Sequence, residues 1–270
     1  MAESDGWFCQ RWAGGKGDGD RSAVLIHGAG MDHTVWALVG PALAERGWTV
    51  LAPDLPGHGR SKGPAQESIA GYAESLLHWM RRLGLLAPVL VGHSMGGLVA
   101  LEAAVRMPAT ALVLIGAAAR MPVHPRLLAL AERAPEAAAR VMAAWSLPAV
   151  RRFGAQPLPG LWLPQAVVRM IGDGPSGVLA GDLRACETYR DGIQRAGELH
   201  LPVLVVAGER DRMVPPKAAR ALADALPDAR LALLSEVGHL PPLERPAALV
   251  RCVGDFLAGG DPASQSRSGP

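Results

Sequence analysis

Pro88-Val-Leu-Val-Gly-His-Ser94-Met-Gly-Gly-Leu-Val-Ala-Leu-Glu102 decides how this chain folds. Val89-Leu90-Val91 is a short apolar run with the character of a buried strand. The pattern breaks at Gly92 and resumes after Gly96 with helical spacing at Leu98, Val99, Leu101 and Val105. Between the two lies Gly92-His93-Ser94-Met95-Gly96, a G-x-S-x-G match with a strand before it and a helix after it. A serine in so tight a turn projects its hydroxyl outward. The flanking glycines lack the Cβ atoms that would strike neighbouring backbone. The helix that follows aims free N–H groups and partial positive charge at whatever forms beside Ser94. A Gly-rich turn whose serine merely caps a helix would produce the same five residues. The partners downstream therefore have to decide.

Outward from this unit, strands and helices alternate. Ala23–Ile26 reads as a strand running into His27-Gly28-Ala29-Gly30, and Val35 to Arg46 reads as a helix. Trp48–Ala52 is a strand that ends in the Gly/Pro-rich loop Pro53-Asp54-Leu-Pro-Gly57-His58-Gly59-Arg60-Ser61. A helix is expected from Ser68, with Ile69, Tyr72, Leu76, Met80 and Leu83 on one face. Strands follow at 110–115, 202–206 and 229–234, and helices near 216–226 and 246–257. Residues 6–12 suit a short edge strand. Continuous apolar strands alternating with helices predict an α/β fold: a mostly parallel central sheet flanked by helices. Residues 120–198 interrupt the rhythm with helical patterns near 125–134, 136–146, 164–171 and 178–190. The expected organisation is a core of residues 1–119 and 199–258, a helical cap insertion at 120–198, and a disordered tail at 259–270.

Bulk properties exclude several classes. With 27 basic and 25 acidic residues the formal net charge is +2, without runs of like charge, so nucleic acid gains no support as a partner. Cys9, Cys186 and Cys252 are far apart and odd in number, which argues against a disulfide framework and for a reducing compartment. The acidic, polar N-terminus shows no signal-peptide pattern, and no apolar run is long enough for a membrane span, so a cytoplasmic location is expected. Gly15-Lys16 lacks the flanking residues of a phosphate loop. The eight histidines show no metal-ligand spacing, so no metal or cofactor is expected.

Ligands of a parallel α/β sheet bind beyond the carboxyl ends of its strands. Ser94, Asp211 in Gly208-Glu-Arg-Asp211, and His239 in Val237-Gly238-His239 each follow a strand. An isolated serine hydroxyl is a poor nucleophile at neutral pH, but an imidazole in reach takes its proton, and a carboxylate orients that imidazole. The order Ser, acid, His is that of the hydrolase version of this constellation. Glu209 is the nearest other acid, and a helix cap is the other use for Asp211. No carboxylate follows the strand at 110–115, which runs into Gly116-Ala-Ala-Ala-Arg120. The negative oxygen formed on an attacked carbonyl needs preorganised donors, and the backbone N–H groups of Met95 and Ala29 are expected to supply them. Gly28, His93, Trp145 and Trp162 are expected around the pocket; His27 borders it, and Asp54, His58 and Arg60 are expected to shape their own loop.

With these residues in place, the chain resembles the α/β-hydrolase superfamily over about residues 5 to 257. Its closest likeness there is to small esterases, 3-oxoadipate enol-lactonases, cofactor-free haloperoxidases and carbon–carbon bond hydrolases. The resemblance rests on His27–Gly30, Asp54–Ser61, Gly92–Gly96, Gly208–Asp211, and Gly238-His239 followed by Leu243-Glu244-Arg245-Pro246. It implies a triad of Ser94, Asp211 and His239, oxyanion donors at Ala29 and Met95, and a helical cap at 120–198 that ends in Asp182–Asp191. Serine at 94 departs from the branches in which an aspartate attacks. The implied activity is cleavage of a small ester or lactone through an acyl-enzyme. Carbon–carbon hydrolysis, lyase or perhydrolase chemistry with the same triad is one alternative, and a low-turnover ligand receptor is another. Trp145, Phe153 and Trp162 in the cap suggest an apolar pocket, and the cap's excess of Arg leaves room for a carboxylate on the substrate. Oligomeric state is open.

Overall fold

The computed structural model describes residues 6–13, 21–154, 156 and 160–259. The expected tail beyond Gly259, and most of the Gly-rich segment after Ala13, lie outside them. Seven strands form one sheet in the order β1-β3-β2-β4-β5-β6-β7: β1 (Cys9–Ala13), β2 (Ser22–Ile26), β3 (Thr49–Pro53), β4 (Val89–His93), β5 (Leu112–Ile115), β6 (Val203–Gly208) and β7 (Ala229–Leu234). Only β1 is antiparallel, pairing with β3 from Cys9 opposite Pro53 to Ala13 opposite Thr49. β2, β4, β5 and β6 are almost wholly buried, as strands covered on both faces must be.

From β2 the chain first adds β3 on one side and later places β4 on the other. The strand order therefore reverses between β2 and β4, and the crevice beyond their carboxyl ends is the site this topology favours for a ligand. Gly92 of β4 lies level with Ile26 on one side and Leu114 on the other, so the loops after β2 and β4 open side by side.

The helix expected over 35–46 is not continuous. A 3₁₀ turn at His33–Trp36 precedes α1 (Gly40–Ala44), because Pro41 lacks the N–H that an unbroken helix would need from it and is seated in the first turn instead. α2 (Ile69–Arg82) begins where Ser68 accepts the Gly71 N–H at 3.1 Å, and Ile69, Tyr72, Leu76 and Met80 are buried. Removing each such apolar side chain from water contributes about 1.5–3 kcal/mol. α3 (Met95–Ala104) is buried on every side, between β4 and its neighbours.

Residues 120–198 contribute α4 (Pro125–Arg133), α5 (Pro135–Ser146), α6 (Ala149–Phe153), α7 (Leu163–Gly172), α8 (Val178–Thr188) and α9 (Gly192–Gly197). α5 stops at Ser146 because Leu147 precedes Pro148 and is held extended. Tyr189 turns extended and ends α8 at Thr188, two residues before the expected 190. α10 (Pro216–Ala225), α11 (Pro241–Glu244) and α12 (Pro246–Leu257) complete the flanks. No helix among the described residues is long and apolar enough to cross a membrane.

Candidate active site

Ser94 sits between β4 and α3 with φ +53° and ψ −120°. Among the described residues only Glu236 shares a positive φ without being glycine. The conformation is costly, of the order of 1–3 kcal/mol, and survives because its surroundings enforce it. The Ser94 N–H is held by the Ile115 carbonyl at 2.8 Å, and its own carbonyl accepts the Gly97 N–H at 2.8 Å. Gly96 is needed here for space, since a Cβ on it would run into the carbonyls of Ile26 and His27.

The loops after β6 and β7 bring an acid and an imidazole to Ser94. His239 Nε2 lies 3.0 Å from Ser94 Oγ, and His239 Nδ1 lies 2.8 Å from Asp211 Oδ2. The Asp211 carboxylate accepts a hydrogen bond from Nδ1–H, which leaves Nε2 as the acceptor facing the serine hydroxyl. Asp211 is itself fixed, because Oδ1 accepts the N–H groups of Met213 and Val214, each at 2.8 Å. Glu209, the other acid considered for this place, is exposed.

His239 is held from three directions. Its N–H donates to the Ser146 carbonyl at 2.7 Å, one of the carbonyls left free where α5 ends. Its carbonyl accepts His93 Nε2–H at 2.8 Å. On either side of it the N–H groups of Gly238 and Leu240 donate to the buried Glu244 carboxylate at 3.0 Å. Burial pushes the His93 pKa down to about 3, assisted by the neighbouring His239, so His93 is a neutral donor. Burial likewise pushes Glu244 up to about 7, against the pull of its two N–H donors. In the sequence Glu244 stands out only as part of a motif block; its contact with the histidine loop depends on how α11 folds back and has no local pattern.

On the β2 side, His27 is neutral, lowered to about 4 by burial, and donates Nδ1–H to the Gly28 carbonyl at 2.9 Å while accepting the Leu55 N–H at 3.0 Å. That ring braces the turn leading into Ala29. Asp54 has the loop-shaping part expected of it. Burial would raise its pKa, but the His33 ring at 2.8 Å and the N–H groups of His33 and Arg60 hold it below the usual carboxylate range. Asp32, His33 and Asp54 are the one trio of possible metal ligands gathered within 4.8 Å among the described residues; His33 and Asp54 are hydrogen-bonded to each other, and Asp32 accepts the Thr34 N–H at 2.8 Å as the cap of the 3₁₀ turn.

Ala29, Ser94 and His239 open onto a cavity of about 320 Å³. Its walls are mostly apolar: Met121 and Val123 before α4, Leu127 on α4, Met142 and Trp145 on α5, and Leu183 on α8. Arg212 and His124 are its charged or polar margin. Cys186 also lines it, but burial raises its thiol pKa and keeps it protonated. Of the expected pocket residues, Trp145 is in this wall. Gly28 packs behind it, where a Cβ would lie 3.3 Å from the Ser94 Cβ, and His93 is buried beneath His239. Trp162 and Phe153 are not part of the cavity. They are 48% and 81% exposed, because Trp162 precedes α7 and Phe153 ends α6, both on the outer surface.

The alpha/beta hydrolase family model matches residues 23–251. The chain belongs to that family. Among its relatives is a pimeloyl-[acyl-carrier protein] methyl ester esterase of Aromatoleum aromaticum, 32% identical, with 87% of this chain and 98% of the relative covered. An esterase of Thermogutta terrifontis with bound malate superposes with a TM-score of 0.81 at 25% identity, covering 94% of this chain and 93% of the other. The enol-lactonase of Burkholderia xenovorans gives a TM-score of 0.83 at 24% identity over 93% and 96% of the two chains, a likeness of fold.

Proposed function

We propose that this hydrolase cleaves a small carboxylic ester or lactone through an acyl-enzyme. The observation that carries the reading is the unbroken hydrogen-bonded line from Ser94 through His239 to Asp211, opening onto an apolar cavity. Ser94 Oγ attacks the carbonyl carbon while His239 Nε2 takes its proton. Asp211 holds the ring in the required tautomer and balances the imidazolium as it forms. The tetrahedral intermediate places negative charge on the former carbonyl oxygen, and the N–H groups of Ala29 and Met95 receive it. Such a donor typically contributes about 3–4 kcal/mol in the transition state. His239 then returns its proton to the leaving alkoxide. Water, deprotonated by His239, attacks the acyl-Ser94 ester, and as the intermediate collapses His239 returns that proton to Ser94 Oγ, releasing the acid and restoring both residues.

In this reading residues 120–198 are the cap, with α4, α5 and α8 forming the wall that receives the acyl or alkoxy group. Its apolar lining favours an uncharged chain next to the carbonyl. Relatives named as esterases support the bond type.

Stopped-flow hydrolysis of p-nitrophenyl butyrate tests the proposal. The expected trace is a burst of one nitrophenolate per chain followed by slower steady turnover, with both phases lost in Ser94→Ala. Steady turnover that persists in Ser94→Ala would refute the acyl-enzyme.

A further inference from the structure

Helix α8 of the cap carries Asp182 into the core, where it is completely buried. Oδ2 accepts the Gly30 N–H at 2.7 Å and the His58 Nε2–H at 2.7 Å, and Oδ1 accepts the Tyr72 hydroxyl at 2.6 Å. The other ring nitrogen of His58 faces the Pro56 carbonyl at 3.1 Å. Two acceptors call for two N–H donors, so the ring is an imidazolium that balances the Asp182 charge. Burial works against that charge, but Asp182 outweighs it and the His58 pKa is raised.

Gly30 adjoins Ala29 in the chain, and its N–H belongs to the peptide unit that carries the Ala29 carbonyl. Anchoring that N–H restrains the plane of the unit, one of the two peptide planes that meet at the Ala29 Cα; the Ala29 N–H lies in the other, joined to it through the Ala29 backbone angles. The same cap elements press on Gly30, whose φ is +65° and whose missing Cβ would lie 2.9 Å from Leu179 of α8 and 3.2 Å from Ile171 of α7. The loop is thus shaped from the cap side as well as by its own strand. We infer that Asp182 is a positioning residue for the oxyanion loop: seating of α8 against the core aims the Ala29 N–H, so cap docking and transition-state stabilisation are one event. This rests on the oxyanion role given to Ala29 above.

The full-length chain carrying Asp182→Ala, Asp182→Asn or, as a control on the outer face of α8, Arg184→Ala tests this. Among the described residues Arg184 pairs with Glu132 of α4, at 2.7 Å and half exposed. The readouts are kcat and KM for p-nitrophenyl butyrate, and hydrogen exchange of the Gly30 amide. Loss of one oxyanion donor typically lowers kcat by about 10²–10³-fold. Asp182→Ala is expected to lower kcat by about 10²-fold with KM within about threefold, and to speed Gly30 exchange. Asp182→Asn keeps an oxygen for the Gly30 N–H and is expected to recover most of the lost kcat; Arg184→Ala is expected to match wild type. If Asp182→Ala does not fold, Asp182→Ser, whose shorter side chain does not reach Gly30, carries the same expectation. Wild-type kcat in the Ala or Ser variant, a loss confined to KM, or an Asn variant as impaired as Ala would overturn the inference. Should wild type itself neither cleave esters nor take an organophosphonate at Ser94, the hydrolase reading fails separately. Unchanged Gly30 exchange in Asp182→Ala then overturns the positioning claim on its own.

Discussion

Asp211 divides its carboxylate between two tasks: Oδ2 holds the His239 ring at 2.8 Å, and Oδ1 accepts the N–H groups of Met213 and Val214. The second task aims the first, because the two main-chain donors leave the side chain one orientation. Orientation of the imidazole is thereby built into the loop after β6. Asp211→Asn keeps the size but can present an N–H to Nδ1, which favours the wrong tautomer. The same change in a serine triad lowers turnover by about 10⁴-fold. A comparable fall in kcat, with KM little altered, is expected here and is measured by steady-state ester hydrolysis.

Ser94 trades stability for position. Its φ of +53° is one that glycine adopts without strain. Ser94→Gly is expected to abolish turnover yet raise stability by about 1 kcal/mol, after allowance for the greater chain entropy of glycine. In a domain of this size that is about 2–4 °C in Tm, read by thermal melting. A lower Tm would mean that the elbow is not strained.

Glu244 adds a pH dependence of definite sign. Its carboxyl holds a proton up to about 7 in the folded chain, against an ordinary value of 4.5. Between those values the folded state binds more protons than the unfolded one, so this contribution is full below 4.5 and is lost as pH rises toward 7. His27 and His93, lowered to about 4 and about 3, act in the opposite direction. The difference between wild type and Glu244→Gln isolates the carboxyl: the variant is expected to gain stability relative to wild type as pH rises across the window. Parallel melting curves at every pH would contradict it.

The cavity walls predict selectivity. Each methylene buried against Met142, Trp145 and Leu127 is worth about 0.8 kcal/mol, or about fourfold in kcat/KM, until the space is full. A series of p-nitrophenyl esters from acetate upward is expected to rise and then fall. Trp145→Ala, which opens the wall, is expected to move the optimum to a longer chain.

Much of this was legible in the sequence because the chemistry is local in the chain. Gly92-His93-Ser94-Met95-Gly96 specifies a strand, a turn and a helix within a few residues, and Asp211 and His239 each follow a short apolar run that reads as a strand within the alternation of strands and helices. Pro41 should have broken the helix expected over 35–46, and does. Contacts without local pattern were not readable. Asp182 meets Gly30 across 152 residues, and nothing in the composition of α8 marks that aspartate as the one facing inward. The tryptophans show the same limit: Trp145 and Trp162 are alike in the sequence, and the placement of α5 and α7 puts one in the cavity wall and the other on the surface.

In the proposed reaction Ser94 is a nucleophile activated by His239. Labelling with a fluorophosphonate, read by intact mass and peptide mapping, tests it most directly. One adduct per chain is expected, on the peptide containing Ser94, formed rapidly in wild type and at least a hundredfold more slowly in His239→Ala (about 3 kcal/mol or more at the barrier). No adduct on Ser94, or equal rates in the two proteins, would contradict it.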